Sequence, residues 1–405
     1  MSTRRTVLAL LSAAVIALSA NLAPLGANAN EPIKIGELNS YARMAAFTEP
    51  YRKGWQLGFD QINQAGGIDG RMIEVISRDD GGATGDAVRV ADELVSRERV
   101  VMLFGTFLSN VGLAVADYAN QRQVPFIAAE PLTDAITLSA GNPYTFRMRP
   151  STAMQTAMLV DAASDFDARR WAIVAPNYEY GQSAAEAFKR LIKDVHPEAE
   201  IVAEQYPALG KIDAGATVAA LAQAEPEAIF NVLFGADLGK FVREGQLRGL
   251  FEDRPVLSLI TGEPEWLGPL GAEAPEGWIV TGYPVEQIDT ADHVAFVDAY
   301  RAAYGESPAL GSLLGYICAQ TIDAALRKAG GTETEALLAA LEDLEVDTPI
   351  GPVTIRGLDN QSTMGAWVGA IEVVDGQGRM TDWTYVDGAE VMPGEDEVRA
   401  ARPDL

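Results

Sequence analysis

Residues 33–77 read IKIGELNSYARMAAFTEPYRKGWQLGFDQINQAGGIDGRMIEVIS, and the architecture follows from this stretch. Ile33–Leu38 is a stretch of strand length with Ile33, Ile35 and Leu38 apolar. Tyr51, Trp55, Phe59 and Ile62 then share one face at steps of three and four, which predicts a helix over Tyr51–Ala65. Pro50 suits the first turn of that helix, and Gly66-Gly67 ends it. Ile73–Ser77 is a second strand-length run, so the segment reads strand, helix, strand.

The alternation continues along the chain. Further strands are expected at Val100–Phe104, Pro125–Ala128, Trp171–Ala175, Ala228–Phe234, Val256–Ile260 and Trp278–Thr281. Thr84 is placed to cap a helix whose buried stripe is Ala87, Val88, Ala91, Leu94 and Val95, and Thr152 with Gln155 has capping-box spacing. Strands alternating with helices predict an α/β fold with parallel-rich sheets covered by helices. The pattern pauses at Arg147–Ser151, at Gly282–Glu286 and near Met364, before a last strand pair at Ala366–Val374 and Met380–Val386. These pauses are read as three hinge crossings between two lobes. Lobe 1 is expected to hold residues 30–149 plus 283–362, lobe 2 residues 150–282 plus 363–393, and residues 394–405 form a C-terminal tail.

Residues 1–29 read as a cleavable export signal. Arg4 and Arg5 precede an apolar run from Val7 to Leu18, and Ala27-Asn28-Ala29 is a small-x-small cleavage site. The run is too short for a permanent membrane span. Thr3-Arg4-Arg5 also suits a twin-arginine route. Either route places the mature chain of about 375 residues in the periplasm, with length for two ordinary domains. No cysteine lies near the cleavage site, so no lipid anchor is expected.

The chain carries 57 acidic and 31 basic residues, a formal net charge of −26. This acidity keeps a protein soluble and argues against nucleic acid or an anionic membrane as partner. Cys318 is the single cysteine, so an internal disulfide is impossible, and its apolar surroundings predict a buried thiol. His196 and His293 have no Cys or His at metal-ligand spacing. No G-x-S-x-G elbow, P-loop or G-x-G-x-x-G fingerprint is present. The cluster from Gly81 to Gly85 reads as a turn, and Asp79-Asp80 lacks the further oxygen ligands of a calcium loop. No cofactor or metal is therefore expected, and no enzymatic activity. A secreted α/β hydrolase is the alternative of a different class, but it needs a nucleophile–base pair or metal cluster that the sequence does not display.

Open α/β sheets bind ligands beyond the carboxyl ends of their strands. Ser109-Asn110 opens a helix shortly after Val100–Phe104 and suits a ligand carboxylate, or Ser109 simply caps its helix. Glu130 and Glu263 follow two other strands and face either a ligand ammonium or hydroxyl, or solvent.

Ile62-Asn63-Gln64-Ala65-Gly66-Gly67-Ile68-Asp69-Gly70 resembles the I-N-x-x-G-G-I-x-G of the leucine/isoleucine/valine-type solute-binding proteins of ABC importers. Asp79-Asp80, Phe146-Arg147 and Tyr180-Gly181 match further motifs of that family in the same order. The resemblance implies a type I periplasmic binding protein, which closes two lobes around a small amino acid or related carboxylate and delivers it to a membrane permease. It implies a monomer. By position, Phe47 falls on an aromatic in the loop after the first strand, Ser109 on a carboxylate-binding serine, and Tyr180 on a lobe 2 tyrosine. Asp237 lies near a further contact, and Glu263 falls on the acid that receives a ligand ammonium. The chain departs from the family where S-P-A-x-T is usual: it reads Ala128-Ala129-Glu130-Pro131-Leu132-Thr133, with Leu132 at a ligand-contacting threonine. With Pro176–Gly181 and Thr261–Trp266, this run resembles a subgroup that takes aromatic carboxylates of the hydroxybenzoate or cinnamate type. Arg149 then becomes a carboxylate partner, or else an interlobe salt bridge. The same shape serves sensor modules, but the chain shows neither a membrane anchor nor a signalling domain, so a shuttle is expected.

Overall fold

The computed structural model describes residues 31–402, so the export signal read at residues 1–29 lies outside the described residues. The strands are β1 (Ile33–Asn39), β2 (Ile73–Asp79), β3 (Leu103–Gly105), β4 (Phe126–Ala128), β5 (Thr145–Arg147), β6 (Arg170–Val174), β7 (Glu200–Gln205), β8 (Ala228–Asn231), β9 (Val256–Gly262), β10 (Ile279–Gly282), β11 (Glu345–Thr348), β12 (Gly351–Arg356), β13 (Gln361–Ser362), β14 (Ala366–Val374) and β15 (Gln377–Val386). They form two sheets, ordered β11-β12-β13-β5-β4-β3-β1-β2 and β15-β14-β10-β9-β8-β6-β7. The chain passes between the sheets after β5, after β10 and after β13, which gives the two lobes three crossings.

The two sheets repeat one topology. Counted within its own lobe, the parallel part of each runs 2-1-3-4-5, so the strand order reverses beside β1 and β3 in one lobe and beside β6 and β8 in the other. Such reversals open a crevice at the carboxyl ends of the strands. The lobes face each other across these two crevices, and the residues after β3, β4, β5, β8 and β9 line the space between them.

Several local expectations are corrected. The first helix runs Tyr41–Gln64, with a break at Met44, so Pro50 lies inside it and Phe47 is helical rather than in a loop. Pro50 leaves the Ala46 carbonyl without a donor, and Ala46 is solvent-exposed, so water can satisfy it. Thr84 is the first helical residue and caps nothing; the capping box belongs to Ser151, whose hydroxyl accepts from the Met154 N–H. β8 stops at Asn231 because its side-chain amide bonds Ser258 Oγ at 2.7 Å and accepts from the Leu233 N–H, turning the chain. Five short strands carry no clear sequence signal: β5, β7, β11, β12 and β13.

The Tyr41–Gln64 helix packs on the Leu310–Ala329 helix through small residues on both. A methyl added at Gly54 would lie 2.0 Å from the Ser312 carbonyl oxygen, and one at Gly315 would lie 2.2 Å from that of Tyr51. The glycines are what let the two backbones touch. Cys318 is fully buried on this interface, as expected. Among the described residues, no helix is long and apolar enough to cross a membrane.

Candidate functional site

The interlobe space is bounded by aromatic rings from both sides. Phe47 and Phe107 of lobe 1 have centroids 5.1 Å apart. Phe47 stacks on Trp266 of lobe 2 at 6.1 Å, and Phe234 meets Phe107, Trp266 and Tyr180 at 6.2, 5.5 and 5.9 Å. At its mouth this space opens into a cleft of about 280 Å³ lined by Arg43, Met44, Gly210, Phe234, Asp237 and Trp266. Such rings offer large apolar contact area and geometric preference for a planar guest.

Beneath the aromatics lies a buried charged cluster. Arg149 follows β5, and its backbone carbonyl accepts from Gln361 Nε2 at 3.0 Å, which fixes it to lobe 1. Its guanidinium crosses to Glu263 of lobe 2 in a buried ion pair and lies 5.6 Å from the Phe47 centroid. The second Glu263 oxygen accepts from Trp266 Nε1 at 3.0 Å. Glu263 is thus neutralised by the protein itself, where the resemblance implies that it receives a ligand ammonium. Burial works against the charge on Arg149, and Glu263 and Glu130 more than restore it.

Glu130 is the exception to this pairing. It is 2% exposed, yet neither carboxyl oxygen has a hydrogen-bond partner on the protein. Burial drives its pKa well above the carboxylate range; Arg149 pulls it down, while Glu265, Glu263 and Glu37 push it up. The Tyr180 hydroxyl is likewise buried and unpartnered, as is Thr106 Oγ1. Buried polar groups are nearly always satisfied, so unpartnered ones in the segments that follow the strands are candidate ligand contacts.

The remaining sequence-derived residues divide. Ser109 is buried at the first turn of its helix but is not its cap: its oxygen accepts from the Leu132 and Thr133 N–H groups at 3.3 and 3.2 Å. This pins the loop bearing Glu130 and keeps the hydroxyl proton available to donate. Asn110 is half-buried beside it. Asp237 spends both oxygens within lobe 2, on the Gly210 N–H at 2.6 Å and the Ile212 N–H at 3.3 Å, so it braces the cleft wall. Asp79 and Asp80 bind backbone N–H groups and Ser40 Oγ, stapling two loops together. Among the described residues, no group of three His, Cys, Asp or Glu side chains is arranged to hold a metal ion.

Backbone strain falls on both walls. Thr106 after β3 and Ile260 near the end of β9 have φ of 63° and 57°, which is costly for β-branched residues and recurs at functional sites. Further contacts latch the lobes together. Thr133 Oγ1 donates to Glu179 at 2.7 Å, the Asp134 N–H to Ser183 Oγ at 3.2 Å, and the Gly311 N–H to Glu265 at 2.6 Å. The last sets a carboxylate of lobe 2 at the N-terminus of a lobe 1 helix, the end a negative charge favours. Phe107, Phe234, Glu265 and Trp266 escaped the sequence reading as site residues, although an aromatic followed by Gly235 just after a strand was a usable signal.

Two repeated α/β lobes, three crossings and a polar-aromatic cleft between them define a two-lobed binding protein of the type I periplasmic fold. The chain belongs to the periplasmic binding protein family, whose model matches residues 32–378. It is 25% identical over 355 residues to the Leu/Ile/Val-binding protein homolog 7 of Brucella suis biovar 1, covering 84% of this chain and 86% of that one. It also superposes on solved structures. One is a solute-binding protein of an ABC transporter from Rhodopseudomonas palustris BisB5 in complex with 3,4-dihydroxybenzoic acid (TM-score 0.79, 24% identity, 89% of this chain and 98% of that one). Another is the branched-chain amino acid transporter substrate-binding protein of Streptococcus pneumoniae in complex with isoleucine (TM-score 0.76, 24% identity, 88% and 99%).

Proposed function

We propose that this protein is an extracytoplasmic receptor for an aromatic carboxylate, which it captures as a monomer between its lobes and hands to an ABC importer permease. One observation carries the choice of solute. Arg149 and Trp266 already occupy both oxygens of Glu263, so the acid that would hold an α-ammonium has a partner from the protein. Arg149 in turn supplies the planar guanidinium that a carboxylate seeks, in a fork suited to bidentate pairing. The rings of Phe47, Phe107, Phe234 and Trp266 suit a planar apolar body, and Leu132 replaces a polar side chain with an apolar one. The Rhodopseudomonas relative bound to a dihydroxybenzoate supports the same class, although its likeness to this chain is one of fold.

Residues Phe47, Ser109, Glu130, Arg149 and Tyr180 would then contact solute directly, while Glu263 orients Arg149. The crossings support domain limits at residues 149, 282 and 362, with lobe motion about them. Thermal unfolding of the signal-free protein, stripped of solute through a denaturing step, tests the reading. Benzoate, hydroxybenzoates and cinnamates are set against branched-chain and other amino acids. A true solute at about a thousand times its Kd adds about 4 kcal/mol. Stabilisation by amino acids alone rejects the aromatic carboxylate reading.

A further inference from the structure

Glu130 is 2% exposed, and neither of its carboxyl oxygens has a hydrogen-bond partner on the protein. The charges of Glu265 and Glu263 in lobe 2 and of Glu37 on β1 act on it and disfavour its ionisation. Tyr51 and Cys318, from the two helices packed behind the cleft, also feel its charge, and the Tyr51 hydroxyl is buried without a partner. Arg149 is the cation among the strongest influences on Glu130, and it is committed to Glu263. A captured carboxylate beside Arg149 adds a further negative charge to this dry space. Two like charges cannot both persist there, and a carboxyl that gives up its charge gains a hydrogen to donate.

We propose that Glu130 enters the closed cleft as a neutral carboxylic acid and donates its hydrogen to the captured carboxylate, so that one proton is taken up with each solute. The inference rests on the proposed function. The proton comes from solvent as the lobes close and returns when they open; no covalent bond is made or broken. In the open form, water reaches Glu130 and its acidity returns toward that of an ordinary carboxyl. The complex then holds one proton more than the free protein, and affinity declines as pH rises. Arg149 and Glu130 together would select a carboxylate: the first supplies charge, and the second a donor aimed at the same group.

Calorimetric titration of the signal-free protein with 4-hydroxybenzoate and with benzoate from pH 5.5 to 8.5 tests this. Repetition at pH 7.5 in two buffers of different ionisation enthalpy counts protons directly and needs no variant. The expected result is uptake of at least about one proton and a fall in affinity of about tenfold or more per pH unit wherever the open form has ionised and the closed form has not. Glu130→Gln, which keeps a donor but cannot titrate, should take up about one proton fewer than the wild type and lose the matching part of the slope, leaving only the share of Glu265. A flat wild-type profile, zero proton uptake, or a slope and proton count unchanged in Glu130→Gln overturns the proposal while leaving an aromatic carboxylate receptor intact. Failure of every carboxylate to bind at any pH removes the proposed function, and the role of Glu130 with it.

Discussion

Arg149 and Glu263 meet from opposite lobes with side chains only 4% and 2% exposed. Two charges taken out of water in this way gain little net energy, because desolvation offsets their attraction. The pair is therefore better understood as a register between the lobes than as a source of stability. It also fixes the polarity of the cleft, since the guanidinium is held against the ring of Phe47.

The pair makes opposite substitutions distinguishable. Arg149→Gln removes the cation from a buried carboxylate and should weaken an aromatic carboxylate by about 2–5 kcal/mol. Glu263→Gln removes a negative charge from the same space and should weaken that ligand less than tenfold, or tighten it. Calorimetry on both variants decides the matter. Strong loss in Glu263→Gln with little in Arg149→Gln would point to an ammonium-bearing solute instead.

Phe47 is fully buried and touches rings of both lobes, so it serves the core and the cleft together. Phe47→Ala should cost about 3–5 kcal/mol of folding stability as well as affinity. Phe47→Leu keeps most of the volume and should cost less than about 1.5 kcal/mol, while still weakening an aromatic ligand. Urea unfolding beside titration separates the two effects. A Phe47→Leu protein with unchanged affinity would exclude this ring from solute contact.

The α/β alternation was legible because strand-length stretches rich in apolar residues, as at Ile33–Leu38 and Val256–Ile260, alternate with helical patterns. β7 was not, because it lies at a sheet edge and carries Glu200, Glu204 and Gln205. The cleft acids were legible by their position after strands. Their pairing was not: nothing local to Arg149 or Glu263 shows that 114 positions of chain fold back to join them. The first helix was misjudged at its start because proline favours a first turn, and tertiary packing against the Leu310–Ala329 helix overrode that preference. Phe107, Phe234 and Trp266 become cleft walls only once the lobes face each other.

That helix packing yields a third prediction. At Gly54 a methyl would press on backbone, not on a side chain that can swing away. Gly54→Ala should therefore destabilise the protein by about 1–3 kcal/mol, despite alanine's better helix propensity. Gly85→Ala, in a helix with open space around that position, provides the contrast and should be neutral or mildly stabilising. Equal melting temperatures for the two variants would contradict the close approach of the helices.

Glu37 gives the stability a pH dependence that runs against the common trend. It is fully buried on β1 and accepts from Tyr41 Oη at 2.8 Å and from Ser77 Oγ. Burial pushes its pKa to about 8, although those two hydroxyls and Arg52 hold it down. The folded protein thus keeps a proton through a range where the unfolded chain has released it. Stability from this group is complete below the ordinary carboxylate range, and declines as pH rises until Glu37 ionises in the fold near 8. Each pH unit in that window removes up to about 1.4 kcal/mol. Glu286 and Glu204 shift the other way and act only near and below the ordinary carboxylate range, so a window from pH 5.5 to 8 separates the two effects. Glu265, also pushed to about 8 by burial and by Glu263, adds to the slope only while the lobes are closed. Urea midpoints across the window should fall for the wild type and fall less for Glu37→Gln, and a variant that kept the full wild-type slope would show that Glu37 is not its source.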